Sequence, residues 1–338
     1  MEASNLALFW AGVIAFAIIV YVILDGFDLG VGILFGTTRD DEHRRDMMDA
    51  IAPFWDGNET WLVIIGAGLF AAFPVVYAVF LGAFYIPVLL LLFGLIFRGV
   101  AFEFRYRSER MRWLWDWGFA IGSAVVAFVQ GAAVGTMIEG IPVANNQYAG
   151  GPFEWLAPFP VLTGVGLVLG YSLLGAAWLV LKTGGTLQSW AYARIPWLGG
   201  ATVAVIVIAI IFTLDRSAIA QSHWGERPWG IVFAIVALLA VAAAVMGALR
   251  RREVQPFVMT SVFFAAAFLT LATLFWPHMV PYAITVANAA APQASLEFLF
   301  WGAGLFVLPV ILAYTVAVYW IFRGKARRYY GTDVAQQR

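Results

Sequence analysis

Nine long apolar runs dominate this sequence and restrict it to one class of fold. Each run is close to the roughly 20 apolar residues that a helix needs to cross a bilayer. None shows the alternation that is typical of a half-buried strand. Because lipid offers no hydrogen bonds to a bare backbone, we expect these spans to be α-helices. The predicted transmembrane helices are Ala7–Phe35, Thr60–Val79, Leu81–Ala101, Trp115–Ile138, Phe159–Leu181, Trp197–Leu214, Trp229–Leu249, Val258–Trp276 and Leu296–Phe322.

The composition agrees with a polytopic membrane protein and excludes several other classes. Only 12% of the residues are charged and 62% are hydrophobic, whereas a soluble domain has roughly 25% charged residues. The formal net charge is zero, which argues against nucleic acid as a partner. The sequence has no cysteine, so disulfides and thiolate metal sites are excluded. We expect an all-α fold and a single integral membrane domain over residues 1–338, with eight helices as the alternative count.

The basic residues indicate an orientation in the membrane. If the charged loop at Arg39–Arg45 faces the cytoplasm, nine helices place most of the 20 Lys and Arg residues on that side. Arg216 and Arg227 fall on the opposite side. The positive-inside rule requires such an asymmetry. We therefore expect a periplasmic N-terminus and a cytoplasmic C-terminus.

Histidine is scarce, and this scarcity bears on redox chemistry. The three histidines, His43, His223 and His278, all fall in predicted loops or at helix ends. Haem and copper sites in membrane oxidoreductases are built largely from histidine. We therefore expect no haem ligand and no catalytic redox centre in this chain. If the chain belongs to a redox enzyme, the cofactors lie in a partner.

Four carboxylates in the first predicted helix and just before the second are the candidate functional residues. Asp25 and Asp28 lie one helical turn apart inside the first apolar run, and Asp56 and Glu59 repeat that spacing where the second begins. Ionisable groups at membrane depth are costly and usually functional, so these acids predict a proton or cation site. The alternative is that Asp25 and Asp28 pair with Arg98 or a loop arginine and only fix helix packing.

Two further patterns accompany these acids. Arg98, Glu103 and Arg105 end the third predicted helix, and we interpret them as an ion-pair set at the cytoplasmic face, joined by Asp116. Small residues spaced four apart let a neighbouring helix approach closely. The first predicted helix carries such a pattern in Gly26, Gly30, Gly32 and Gly36.

Together these motifs closely resemble subunit II of the cytochrome bd-type quinol oxidases. The resemblance rests on the strings DGFDLGVG, APFWDGNETWLV, GAGLFAAFP, IFRGVAFEFR and WDWG. The strings GNETW, FRGVAFEFR and KTGGTLQ are most similar to the cyanide-insensitive branch. Specific motifs cover Leu24–Gln188, and the remainder is similar through its helix spacing.

The resemblance implies a terminal oxidase of the bacterial cytoplasmic (inner) membrane. Such a complex oxidises ubiquinol and reduces dioxygen to water, which generates a proton motive force without pumping. The implied fold has nine transmembrane helices, as two four-helix bundles and a peripheral helix. The implied partner is a haem-binding subunit I, which forms a heterodimer with this chain and carries haem b and haem d, or haem b alone. Whether a small single-helix subunit joins them is left open.

The resemblance also implies roles for individual acids. Asp56 matches the aspartate of the WDGN motif, and Asp25 and Asp28 match the acids of DGFD, which places all three in a cytoplasmic proton path. Glu59 stands where other branches carry glutamine. Glu103 stands where other members carry aspartate, so a carboxylate is kept.

Several alternatives stay open at this point. Asp25 and Asp28 could bind a structural cation rather than protons, and Trp61 is a candidate wall residue of a dioxygen route. The main alternative function is an ion-coupled secondary transporter that binds its coupling ion at Asp25, Asp28 and Asp56. A purely structural assembly subunit is a second alternative.

Overall fold

The computed structural model describes residues 3–108, 110–214 and 229–326, which form a bundle of long helices. A π-helix, Phe300–Val307, joins the last two helices into one continuous element. The helices are α1 (Asn5–Phe35), α2 (Asp41–Ile51), α3 (Trp55–Ala72), α4 (Pro74–Ala83), α5 (Tyr85–Phe104), α6 (Arg112–Glu139), α7 (Pro158–Lys182), α8 (Gly185–Leu214), α9 (Gly230–Leu249), α10 (Gln255–Phe275), α11 (Val286–Ala289), α12 (Gln293–Leu299) and α13 (Leu308–Ile321).

Eight helical stretches among the described residues are long and apolar enough to cross a membrane. They are α1, α5, α6, α7, α8, α9, α10 and the continuous element α12–α13. The prediction of an all-α polytopic membrane protein is therefore confirmed. Helix α3 is not among the eight, and its first turns carry Asp56 and Glu59. His223, Arg216 and Arg227 lie outside the described residues.

The second and third predicted spans differ from the observed helices. The structure has three helices here, because the chain leaves the helical conformation at Phe73 and again at Phe84. Pro74 explains the first break, since proline pushes the preceding residue out of the α region. Helix α3 therefore begins and ends earlier than the predicted Thr60–Val79.

Two other segments are more helical than predicted. The charged stretch after α1 was expected to be a loop, but it forms α2. Asp40 caps this helix by accepting from the backbone N–H groups of Glu42 and His43, which satisfies two otherwise unpaired donors. Helix α8 begins at Gly185 rather than Trp197 and contains Pro196 without ending there.

The second half of helix α1 is buried from Asp25 to Gly32, and α1 packs against α3, α6 and α7. Its contact with α7 depends on glycine, because Gly30 lies directly against the backbone of Tyr171 and Gly175. A side chain at Gly30 would collide with that backbone. The predicted close approach of a neighbouring helix is therefore found, with α7 as the neighbour.

The two ends of the bundle differ in structure and charge. Helices α1, α5 and α7 finish at one end, here called the charged end, which also holds α2 and the starts of α6 and α8. The other end, here called the hairpin end, carries two antiparallel hairpins. They pair β1 (Val143–Ala144) with β2 (Gln147–Tyr148), and β3 (His278–Val280) with β4 (Ile284–Thr285).

Candidate functional site

Asp25 and Asp28 lie on α1 beside its crossing with α7, and both are fully buried. Gly26 packs on the ring of Tyr171, one turn from the tight crossing at Gly30. Because glycine allows α7 to come this close, the two carboxylates are enclosed by protein rather than by lipid. The end of α1 at Phe35 is about 15 Å further along the helix axis from Asp25.

Arg98 on α5 provides the positive charge of this site. Its Nη1 donates to Asp25 Oδ1 at 3.1 Å and to Glu59 Oε1 at 3.0 Å. The side chains of Arg98 and Asp25 are completely buried, whereas that of Glu59 is 22% exposed. Charges this deep are tolerated only when they are paired. One arginine thus joins a buried acid on α1 to a partly exposed acid on α3.

Asp28 accepts a hydrogen bond from a neutral donor. Asn58 Nδ2 donates to Asp28 Oδ2 at 2.7 Å and to the Leu24 carbonyl at 3.2 Å. Tyr319 Oη on α13 donates in turn to Asn58 Oδ1 at 2.9 Å. The last helix therefore reaches the site through one hydroxyl. We call Asp25, Asp28, Glu59 and Arg98 the acid cluster.

Asp56 lies at the outer edge of the acid cluster. It is exposed in the first turn of α3, one turn before Glu59. Trp55 stacks on Phe102 with the ring centroids 5.0 Å apart, which holds the start of α3 against α5. The carboxylates thus form a series from exposed Asp56 through partly exposed Glu59 to buried Asp25.

Trp61 lies next to the acid cluster and is 1% exposed. It packs with Ala17 and Tyr21 of α1, and its ring contacts Phe16 edge-on at 5.9 Å. Its indole Nε1 is buried and has no hydrogen-bond partner among the described residues. The side chain forms an apolar wall between α1 and α3.

Of the predicted ion-pair set of Arg98, Glu103, Arg105 and Asp116, the structure shows the pair of Arg105 with Asp116 and separates Arg98 and Glu103 from it. Arg105 bonds to Asp116, and Glu103 pairs with Arg107 at 3.8 Å on the exposed surface. Successive side chains of an α-helix are rotated by about 100°. Glu103 is five residues after Arg98, so it points about 140° away from Arg98. The three residues therefore serve three separate places on α5.

A second charged network, separate from the acid cluster, ties α2 to the charged end. Arg44 Nη1 donates to Asp116 Oδ2 at 2.8 Å, and Asp116 also accepts from Arg105. Arg112 pairs with Asp41 at 3.0 Å. These contacts join α2, α5 and α6. Arg105 is two helical turns, about 10 Å, beyond Arg98 along α5.

Two groups at the charged end, outside the long spans, have shifted pKa values. Burial raises the pKa of Tyr106 to about 12, partly offset by the nearby Arg105. Hydrogen bonds from Gln188 and then Lys325 lower the pKa of Glu253. Since Lys325 also bonds the Val180 carbonyl at 3.3 Å, these contacts hold the segment after α13 against α7.

Sequence reasoning missed a set of uncharged polar residues around the acid cluster. The sequence contains a signal for them, because a lone polar side chain inside an apolar run needs a hydrogen-bond partner. Asn58 donates to Asp28, and Tyr319 donates to Asn58. The remaining three are bonded to one another on the other side of α1: Tyr21, Gln130 and Tyr171.

The described histidines lie apart from the acid cluster and from each other. His43 on α2 bonds Thr186 Oγ1 at 3.1 Å at the charged end, and His278 lies in β3 at the hairpin end. They are too far apart to bind one haem iron. Within the ranges that the structure describes, no group of three or more His, Cys, Asp or Glu residues is placed to hold a metal ion.

Comparisons with known proteins agree with the architecture. The chain is similar to cytochrome bd-I ubiquinol oxidase subunit 2 of Escherichia coli K12, with 32% identity over 367 aligned positions and 96% of each chain covered. It is also similar to cytochrome bd ubiquinol oxidase subunit 2 of Bacillus subtilis 168, with 30% identity, 93% of this chain and 95% of the relative covered.

A solved structure shares the fold. One chain of the bd oxidase from Geobacillus thermodenitrificans superposes with a TM-score of 0.76 and 15% identity, over 94% of this chain and 99% of that one. The family model for cytochrome bd terminal oxidase subunit II matches residues 6–322. Because the family model matches most of the chain and the relative from Escherichia coli is 32% identical to it, the chain belongs to the cytochrome bd terminal oxidase subunit II family.

Proposed function

We propose that this chain is the second subunit of a ubiquinol oxidase that reduces dioxygen to water. The named relatives from Escherichia coli and Bacillus subtilis are subunits of ubiquinol oxidases, which supports the assignment. None of these relatives is a transporter, so they give the ion-coupled transporter alternative no support. The chain would act as one integral membrane domain over residues 1–338.

The acid cluster would carry protons toward the oxygen-reducing centre. The observation that carries this proposal is the double contact of Arg98, which bonds both buried Asp25 and partly exposed Glu59. Asp56 would collect protons at the surface and pass them to Glu59. Asp25 would be the inner acceptor, and Asp28 would be the last acid before the partner.

Arg98 would set the charge state of this path. With three carboxylates around one arginine, full ionisation leaves excess negative charge in a buried place, which is unfavourable. One proton entering the cluster relieves that excess. Arg98 also supplies the positive charge that a structural cation would bring to Asp25, so Asp25 and Asp28 would take up protons rather than a cation.

The haems would belong to the partner. His43 and His278 lie at opposite ends of the bundle and do not fit a shared haem. Haem b and haem d, or haem b alone, would therefore be held by subunit I in a heterodimer, where they supply the electrons for oxygen reduction. The quinol would also react in subunit I.

The distribution of charge supports one orientation of the chain in the membrane. If α3 counts as a span, the chain crosses nine times, with the charged end in the cytoplasm and the N-terminus in the periplasm. In the bacterial inner membrane this arrangement draws protons for oxygen reduction from the cytoplasm, and quinol protons leave outside. The reaction is then electrogenic without pumping.

Trp61 is proposed as a wall of the dioxygen route. It is a large buried side chain in an apolar layer with Ala17 between α1 and α3. An apolar path of this kind suits an uncharged gas. It packs on Tyr21, one helical turn from Asp25, so protons and dioxygen would reach the partner along neighbouring paths.

The Asp56→Asn variant of the whole oxidase tests the proton path. We expect oxygen consumption to fall by about tenfold or more, because the amide cannot accept a proton, while the haem absorbance of the complex stays intact. Glu297→Gln at the hairpin end removes an exposed carboxylate as the matched control and should leave the rate unchanged. Normal oxygen consumption by Asp56→Asn would reject the proton path.

A further inference from the structure

A line of hydrogen bonds approaches the acid cluster from the side opposite to Glu59. Tyr171 Oη on α7 donates to Gln130 Oε1 on α6 at 2.9 Å. Gln130 Nε2 then donates to Tyr21 Oη on α1 at 2.8 Å. Three helices each contribute one polar side chain. We call Tyr171, Gln130 and Tyr21 the donor chain.

The donor chain has a direction. Gln130 accepts through its oxygen and donates through its nitrogen, so each bond points from α7 toward α1. The hydroxyl of Tyr21 receives a hydrogen bond and keeps its own O–H to donate. Tyr21 precedes Asp25 by four residues on α1, which places the two side chains on the same face of the helix, and its hydroxyl lies near the Asp25 carboxyl.

The two oxygens of Asp25 are in different surroundings. Oδ1 accepts from Arg98, whereas Oδ2 is buried and has no hydrogen-bond partner among the described residues. A hydroxyl hydrogen can rotate to suit its acceptor. The O–H of Tyr21 is therefore the donor suited to Oδ2, on the side away from Arg98.

The donor chain is shielded from water. Tyr171 is fully buried and Tyr21 is 4% exposed, so water does not compete freely for these bonds. In a low-dielectric interior, hydrogen bonds in series polarise one another and strengthen the last of them. A donor chain that ends on a carboxylate stabilises the ionised form more than a lone tyrosine does.

We propose that Tyr21, Gln130 and Tyr171 are positioning residues for Asp25, which keep its carboxylate ionised and fix the oxygen that takes up the proton. This inference rests on the proposed proton path. Arg98 would hold one oxygen and the donor chain would orient the other. The titratable and charged groups around Asp25 are Tyr21 and Asp28 of α1, Glu59 of α3, Arg98 of α5, Tyr171 of α7 and Tyr319 of α13.

The test is the pH profile of oxygen consumption by the purified oxidase. Without a donor, the Asp25 carboxylate is harder to keep ionised, so activity should fall at a higher pH on the acid side. We expect Tyr21→Phe to move that midpoint up by about one unit. Tyr171→Phe should move the midpoint up by only a few tenths of a unit. Tyr171 acts through Gln130, and its effect is limited to the strengthening that one hydrogen bond gives to the next in a series.

The double variant shows whether Tyr21 and Tyr171 act in series or independently. If Tyr171 acts through Tyr21, the variant Tyr21→Phe with Tyr171→Phe should match Tyr21→Phe alone. Tyr192→Phe is the control, because this buried tyrosine of α8 packs on Arg251 away from the acid cluster, and it should keep the wild-type profile. Additive shifts in the double variant would overturn the series arrangement.

Asp25→Asn distinguishes the two ways in which the account could fail. If Asp25→Asn keeps the wild-type rate and profile, the proton path itself is wrong. If Asp25→Asn abolishes activity while Tyr21→Phe and Gln130→Leu keep the wild-type midpoint, the path stands and the donor chain is refuted. Haem absorbance of each complex shows that it has assembled. Should Tyr21→Phe fail to assemble, Gln130→Leu, which also cuts the chain, decides the question.

Discussion

Arg98 has carboxylates on two helices, yet only one of its nitrogens bonds them. Nη1 serves both Asp25 and Glu59, while Nε and Nη2 are buried without partners among the described residues. Asp25 Oδ2 and Asp28 Oδ1 are unpaired acceptors in the same cluster. Because some donors and acceptors of the acid cluster have no hydrogen-bond partner, the pairing can change when a proton enters.

Replacing Arg98 should destabilise the protein strongly. Arg98→Gln leaves two carboxylates without their counter-charge, and breaking a buried ion pair from one side costs about 3–5 kcal/mol. The midpoint of thermal unfolding of the purified complex, followed by tryptophan fluorescence, should fall clearly. Arg107→Gln removes an arginine of the same helix end that pairs at the surface, and should cost about 0.5 kcal/mol or less. Equal midpoints for the two variants would contradict a buried counter-charge.

The sequence predicted these residues only in part. Acids at i and i+3 inside apolar runs identified Asp25, Asp28, Asp56 and Glu59 as candidates, because charge is costly in that setting. The pairing of Arg98 with Asp25 and Glu59 depends on how α1, α3 and α5 cross, and spacing along one helix does not contain that information. Gln130 was missed because it is neutral and its partners lie on other helices.

At the scale of elements, the close contact of α1 with α7 positions the acid cluster. The glycine pattern of α1 predicted a close neighbour, and the structure shows which glycine matters most and which helix is that neighbour. The helix at α2 was missed because its high charge is also typical of a loop. Asp40 followed by Asp41 and Glu42 was the available signal, since acids favour a helix N-terminus.

The α1–α7 contact predicts a sharp difference between two glycines of α1. Gly30→Ala places a methyl group against the backbone of Tyr171 and Gly175, and such overpacking costs about 1–3 kcal/mol. Gly12→Ala meets no atom within 4 Å and should be neutral or slightly stabilising, since alanine favours helix. Thermal unfolding of the two complexes measures the difference. A Gly30→Ala complex as stable as wild type would show that the helices do not meet there.

At the scale of the whole molecule, the apolar surface is very large for a single chain. No residue of the π-helix or of α13 is buried, although Tyr319 of α13 reaches into the acid cluster. The runs of apolar sequence predicted the class of fold directly. They did not predict the break at Phe73, since hydropathy continues across Pro74 while the backbone turns.

Cysteine labelling tests the orientation without interference, because the sequence has no native cysteine. Ser108→Cys lies at the charged end and Asn145→Cys lies in the turn between β1 and β2. A membrane-impermeant maleimide added to intact cells with a permeabilised outer membrane should label Asn145→Cys and leave Ser108→Cys unmodified until the inner membrane is opened. The reverse pattern would place the charged end outside and remove the cytoplasmic source of protons.

Proton uptake by the assembled oxidase is the most direct test of the central claim that buried Asp25 carries protons to the partner. The reduced complex is mixed with oxygen in weak buffer, and a pH-indicator dye follows the protons while haem absorbance follows the electrons. We predict that Asp25→Asn slows proton uptake by about tenfold or more in a complex with normal haem spectra. Uptake by Asp25→Asn at the wild-type rate would contradict the account.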